Sequence, residues 1–326
     1  MPTRPIAEHI SVDTHAYLSL RTPPTRIKRR LDIIVSSRAY QPRIDDLASD
    51  WVAHVAAPAF KLIRRQRRKP VTSFCSIGTG SGLDVLAAIE TLGSTRVGLT
   101  DVHRDVVRTA EENIRHNSRA THPLVVEAGF GDLLSPLRRF RPSYDLIYEN
   151  LPNLPLRNAK KIAEDRTSST RLAPRKERIP RLIKRQLLDL HYLALLQAKH
   201  FLTPRGAVLS TLGGRVPLDV FLSLARLAGY SPSFLTYTWK IQADPLEVIS
   251  THAHKQKQGY GPFYFYRADV LREVFATLDV ETSGKNALDI ERTLASERLD
   301  AVHAYAAFQK GMTIGHTVAV LKSDKE

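Results

Sequence analysis

Phe74-Cys75-Ser76-Ile77-Gly78-Thr79-Gly80-Ser81-Gly82-Leu83-Asp84-Val85-Leu86-Ala87-Ala88-Ile89-Glu90 is the stretch on which the reading of this chain turns. The apolar, β-prone run over 71–77 predicts a buried strand. Glycines at alternate positions, Gly78, Gly80 and Gly82, predict a tight turn, and the helix formers that follow predict a helix over 82–92. A strand, a glycine turn and a helix N-terminus in that order are where an α/β sheet holds a nucleotide-like ligand. Glycine there admits positive φ and lets a ligand approach the backbone without meeting a Cβ. The dinucleotide fingerprint Gly-x-Gly-x-x-Gly fails because its sixth position is Leu83, and no Gly-x-x-x-x-Gly-Lys-Ser/Thr phosphate loop occurs in the chain.

Outward from that turn, the pattern alternates strand and helix, as a parallel sheet requires. Strands are expected at 71–77, 96–100, 123–127, 144–148, 206–211, 233–241 and 316–321, seven in all. Helices are expected at 82–92, 104–116, 181–202 and 218–228. Residues 1–70 read as a helical N-terminal subdomain, with Ile44, Leu47, Trp51, Val52, Val55 and Phe60 at roughly helical spacing. The main domain is then 71–326, with a basic, polar insertion at 154–180 and a second insertion at 243–312 before the last strand.

The net charge is +15, and it is localised. Between Arg21 and Lys69 there are thirteen Lys/Arg against four acids, and between Arg157 and Arg185 eleven against three. These segments read either as a face for nucleic acid or as solvated surface; the second holds no aromatic and the first only Tyr40, Trp51 and Phe60, which favours solvated surface. Cys75 is the single cysteine and falls in the expected buried strand, so disulfides are excluded and thiol catalysis is not indicated. No apolar run spans a membrane and the N-terminus lacks a signal-peptide core, so a cytoplasmic enzyme is expected. His252 and His254 flank Ala253 with no third ligand nearby, and no metal is expected.

Ser76-Ile-Gly78-Thr-Gly80-Ser-Gly82 resembles motif I of the class I S-adenosylmethionine (SAM)-dependent methyltransferases, and its Gly-Thr-Gly-Ser-Gly core is similar to that of the HemK-like group. The resemblance covers roughly 70–240 plus the final strand. It implies a Rossmann-like, seven-stranded α/β sheet with SAM as cofactor. It assigns Ser76, Gly78, Thr79, Gly80 and Gly82 to the methionine end of SAM, although Ser76 stands where the family usually has an acid. Asp101, nineteen residues beyond Gly82, is placed at the ribose hydroxyls with Val102 beside it, and Asp132 and Phe130 at the adenine. Tyr148-Glu149-Asn150-Leu151-Pro152-Asn153 resembles a variant of the Asn-Pro-Pro-Tyr motif of amino methyltransferases. Asn150 and the Leu151 carbonyl would accept hydrogen bonds from the acceptor nitrogen, with Pro152 holding that carbonyl rigid.

Leu151 replaces the first proline of that motif, Asn153 replaces its aromatic residue, and Glu149 stands where a small residue is usual. A carboxylate beside the reacting nitrogen suits a cationic acceptor, so Glu149 is expected as counter-ion and proton acceptor. Tyr148, Asn153, Tyr260 and Tyr264 are the expected substrate contacts. The function expected is N-methylation of a small-molecule or amino-acid-like amino, amide or guanidino nitrogen. RNA methylation, protein glutamine methylation and SAM sensing without catalysis are the rivals. The 154–180 insertion is expected to act as a lid.

Overall fold

The computed structural model describes residues 7–155, 171–172 and 175–325. The chain divides into two units, the first made of Met1–Pro174, Leu193–Leu209 and Lys325, the second of Arg175–Tyr192, Ser210–Asp324 and Glu326.

The first unit opens with an antiparallel pair, β1 (Glu8–Asp13) and β2 (Arg30–Val35), joined through the short helix α1 (Thr14–Tyr17). The expected helical N-terminal segment therefore begins as a hairpin. Ile10 and Val12 on β1, and Leu31 and Ile33 on β2, alternate with polar residues, a period of two that the helical reading of 44–60 did not weigh. Ile44 and Leu47 lie outside the main helix. The helical turns begin as a π-helix at Val52–Ala56 and continue as α2 (Ala57–Gln66). Pro58, at the start of α2, has no N–H to give to the turn before it, and the wider turn lies directly upstream.

A mostly parallel sheet follows: β3 (Ser73–Ile77), β4 (Arg96–Asp101), β5 (Val125–Phe130) and β6 (Tyr144–Glu149). With β9 (Leu202–Gly214), whose first part belongs to this unit, the order is β9-β6-β3-β4-β5. Between β6 and β9 lies a two-residue parallel pair, β7 (Leu154–Pro155) and β8 (Arg171–Leu172). The connections are α3 (Leu83–Leu92) and α4 (Arg104–Asn117). All five residues of β3 are buried, as expected of a strand covered on both faces. The order runs outward from β3 through β4 to β5, then returns to β6 on the other flank. The carboxyl ends of β3 and β6 therefore face a topological switch point, the usual ligand position in such sheets.

The N-terminal hairpin is tied to this sheet by two asparagines one turn apart on α4. Asn113 accepts from the Ile34 N–H at 2.9 Å and donates to the Ile34 carbonyl at 2.8 Å; Asn117 does the same with Asp32 at 2.9 and 2.8 Å. Each amide mimics a strand partner, so β2 meets α4 with its backbone satisfied. Glu90 on α3 accepts from the N–H groups of Thr25, Arg26 and Ile27 and holds the link between α1 and β2.

In the second unit, β11 (Tyr264–Arg267) pairs antiparallel with β12 (Leu299–Asp300) and with β13 (Ile314–Lys325), and β10 (Tyr230–Ile241) also pairs with β13. Each of the seven expected strand segments is a strand, most of them longer than expected. The insertion adds β11 and β12, which the sequence reading did not place. The helix expected over 181–202 is broken into α5 (Arg181–Arg185) and α6 (Asp189–Ala198), with Leu187 at φ 59° between them. No glycine or proline marks that break. It is held by tertiary contacts: Gln186 donates to the Gly261 carbonyl at 3.0 Å, and the Gly261 N–H donates to the Arg185 carbonyl at 2.8 Å. No described helix is long and apolar enough to cross a membrane.

Candidate cofactor and active site

Register brings the glycine loop, Asp101 and Asn150 to one edge of the first unit. Ile77 pairs with Thr100 on one side and Glu149 on the other, so the glycine loop, Asp101 and Asn150 all leave the sheet at the same level. The loop is pinned by the Gly78 and Thr79 N–H groups, which donate to the Thr100 carbonyl at 2.8 and 3.0 Å.

The three glycines are needed for different reasons. All have positive φ, at 72°, 54° and 82°. A Cβ on Gly82 would stand 3.2 Å from the Ala110 carbonyl oxygen, so this glycine lets α3 and α4 approach. A Cβ on Gly78 would stand 3.3 Å from Leu151 Cδ2, which brings the loop after β6 against the glycine turn. A Cβ on Gly80 would meet nothing within 4 Å. The chain's own packing therefore does not fill the space at Gly80, as a backbone cradle for a ligand requires.

Asp101 accepts the His103 N–H at 3.0 Å, and burial lifts its carboxyl to a pKa of about 6 despite further backbone N–H groups from Gly80 and Val102. An ionised carboxylate still has lone pairs for two hydroxyls. On either side of it stand large apolar side chains left in water. Val102 is 59% exposed and Phe130, paired in register with Asp101, is 54% exposed. Arg104 lies over the Phe130 ring at 5.5 Å. Asp132 is exposed, with the Gln197 amide 3.4 Å from its Oδ2.

On the other flank, Glu149 is fully buried, Leu151 is 9% exposed, and Asn150, Pro152 and Asn153 are half-buried. Tyr148 is 2% exposed, its ring packed edge-on to Phe60 at 5.1 Å, so its ring serves the core rather than a substrate surface. Tyr260 and Tyr264 belong to the second unit. There Lys255 lies over the Tyr260 ring at 4.8 Å and Arg298 over the Tyr264 ring at 4.6 Å, so each ring faces a cation of the chain itself. His252 is buried and His254 exposed on α7 (Pro245–Lys257); they do not share a face.

One residue was missed. Asp84, in the first turn of α3, is 6% exposed and accepts the Ser76 hydroxyl, the Val85 N–H at 2.8 Å and the Thr79 hydroxyl at 3.4 Å. Burial raises its carboxyl to a pKa of about 6. A carboxylate thus sits beneath the glycine loop after all, donated by the helix instead of by position 76. The signal was present: Asp84 is the one charged residue in the otherwise apolar run Leu83–Ile89. The N-terminal segment closes the same region. Tyr17 donates to Asp50 at 2.8 Å, and the nearby carboxylates of Asp50 and Asp84 add to burial in raising its hydroxyl pKa.

Most residues of the 154–180 insertion, among them Arg157, Lys160, Lys161 and Arg166, lie outside the described residues. Arg67, Arg68 and Lys69 from the first basic segment line a shallow hollow with Thr72 and Asp145, at the opening ends of β3 and β6. That is the opposite end of the strands from the glycine loop. Among the described residues no group of three His, Cys, Asp or Glu side chains is arranged to hold a metal.

No protein family and no curated protein matches the chain. Among solved structures it is similar to the YcgJ protein of Bacillus subtilis, at 10% identity over 82% of this chain and 98% of that one, with a TM-score of 0.41. It is also similar to the cyclopropane synthase MmaA2 of Mycobacterium tuberculosis, at 10% identity over 83% and 84%, with a TM-score of 0.39. A third is the ribosomal protein L11 methylase of Lactobacillus delbrueckii subsp. bulgaricus, at 19% identity over 63% and 81%, with a TM-score of 0.36. At such scores these likenesses decide nothing about the chemistry of this chain.

Proposed function

We propose that this chain is a class I SAM-dependent methyltransferase that methylates an amino, amide or guanidino nitrogen of a small-molecule or amino-acid-like substrate. The supporting observation is one edge of β3, where an unfilled glycine cradle lies between the half-buried carboxylate of Asp101, flanked by exposed Val102 and Phe130, and the loop that begins at Asn150. Those parts fit the cofactor. Gly80 leaves room for its methionine end, Asp101 offers acceptors for two ribose hydroxyls, and Val102 and Phe130 offer apolar surface to the adenine. Asp84 supplies negative charge beneath the loop that faces the cationic end.

When bound, SAM supplies a methyl group on positively charged sulfur with a good leaving group. The chain's part is then alignment, which is worth about 7–11 kcal/mol of barrier when reacting groups are well placed. The Asn150 side-chain oxygen and the Leu151 carbonyl accept the hydrogens of the acceptor nitrogen and so aim its lone pair. Pro152 limits the backbone swing of that carbonyl. Glu149, enclosed at the end of β6, provides a counter-charge that favours a cationic acceptor and a destination for its proton.

Incubating the protein with methyl-labelled SAM and separated small-molecule, protein and RNA fractions tests the reading. Label is expected among small molecules; label confined to RNA would overturn the substrate class. The basic hollow at the far end of the strands lends no support to RNA at this site.

A further inference from the structure

The second unit gathers basic side chains in its interior. Arg215 follows β9 and is half-buried, and burial lowers its guanidinium to a pKa of about 10. Its Nε and Nη2 both donate to Gln242 Oε1, at 3.0 and 2.8 Å, and Nη2 also lies 3.1 Å from His316 Nε2. Accepting there leaves the His316 proton on Nδ1. Lys240, at 2% exposure, and His316, at 1%, share this region with His252, at 3%. His252 places Nδ1 2.8 Å from the Val248 carbonyl and turns its ring edge-on to Phe263 at 4.8 Å. Burial, then the charge of Arg215, keeps both imidazoles neutral; Lys240 adds to this at His316.

Among the described residues no carboxylate pairs with Arg215; all three of its hydrogen bonds go to neutral acceptors. A half-buried cation beside a buried lysine is stabilised when an anion completes the site. Nη1 makes no hydrogen bond among the described residues, and the absence of a side chain at Gly213 makes room for it, since a Cβ there would stand 2.3 Å from Nη1. We propose that the second unit binds an oxyanion, a carboxylate or phosphate group of a small molecule, at the Nη1 side of Arg215 with Lys240 and His316 beside it. This site is independent of the methyl-transfer reading.

The test is thermal unfolding of the full chain in inorganic phosphate and in acetate, each against chloride at equal ionic strength. At least one anion should raise the midpoint, and which one does so identifies the group. In Arg215→Gln, checked for native circular dichroism, the apparent dissociation constant should rise about tenfold or more, the worth of one charge-assisted contact. No shift with either anion, or a shift that survives in the folded variant, overturns the proposal. Should Arg215→Gln fail to fold, anomalous diffraction from selenate in crystals of the unaltered chain replaces it. A peak within hydrogen-bond reach of Arg215 Nη1 is expected, and selenate found only elsewhere refutes the site.

Discussion

Gly80→Ala separates a ligand cradle from an ordinary turn. The added methyl meets no atom within 4 Å, so the folded chain has no steric objection to it. The remaining cost is conformational: φ is +54°, and an L residue held in the left-handed region loses about 1–2 kcal/mol. At roughly 2–4 °C per kcal/mol, the unfolding midpoint should fall by only a few degrees. Cofactor affinity should fall at least about tenfold, because the methyl occupies the space through which a ligand would reach the loop backbone. Gly311→Ala is the matched control. Its φ is +85°, its Cβ also meets nothing within 4 Å, and it lies in the second unit. It should show a similar loss of stability with binding unchanged. Calorimetric titration with S-adenosylhomocysteine measures both variants. Affinity in Gly80→Ala within twofold of the unaltered chain would refute the cradle.

Cofactor affinity should decline as pH is lowered through about 6, where the raised Asp101 carboxyl takes up its proton and loses its charge and part of its capacity to accept two hydroxyls, and Asp101→Asn should bind weakly with little pH dependence; titrations at pH 5, 6 and 7.5 check this. Asp84 and Asp101 both titrate in the folded chain near 6, above the ordinary 3.8, so the folded state holds protons that the unfolded state has released. Their contribution thus favours folding as pH falls from above 6 toward 4, and Asp84→Asn should flatten part of that slope in chemical denaturation. Glu149→Gln should keep cofactor binding and lose most turnover in single-turnover assays; unchanged turnover would remove Glu149 from the chemistry. Asn117→Leu should cost about 1–3 kcal/mol by stranding the Asp32 N–H and carbonyl, read as a denaturation midpoint.

The glycine turn, the strand ends and the loop after β6 were legible because each is a local signal: glycine spacing, β-prone runs, and Asp or Asn at a strand terminus. What escaped the sequence depends on distant partners. The hairpin at 8–35 is joined to the sheet by Asn113 and Asn117, whose value appears only when β2 lies beside α4. The break at Leu187 has no local breaker, and Gly261 comes from more than seventy residues away. Asp84 was read as part of a helix-forming run, yet it is buried and accepts the hydroxyl of Ser76. Tyr148, Tyr260 and Tyr264 carry a related lesson. Aromatic type alone does not separate a packed or cation-facing ring from a substrate wall.

The most direct measurement is calorimetric titration of the folded, full-length chain with S-adenosylhomocysteine, alongside Asp101→Asn. One binding site per chain is expected, weakened at least about tenfold in the variant. No detectable binding of this compound or of SAM to the folded chain would contradict the account.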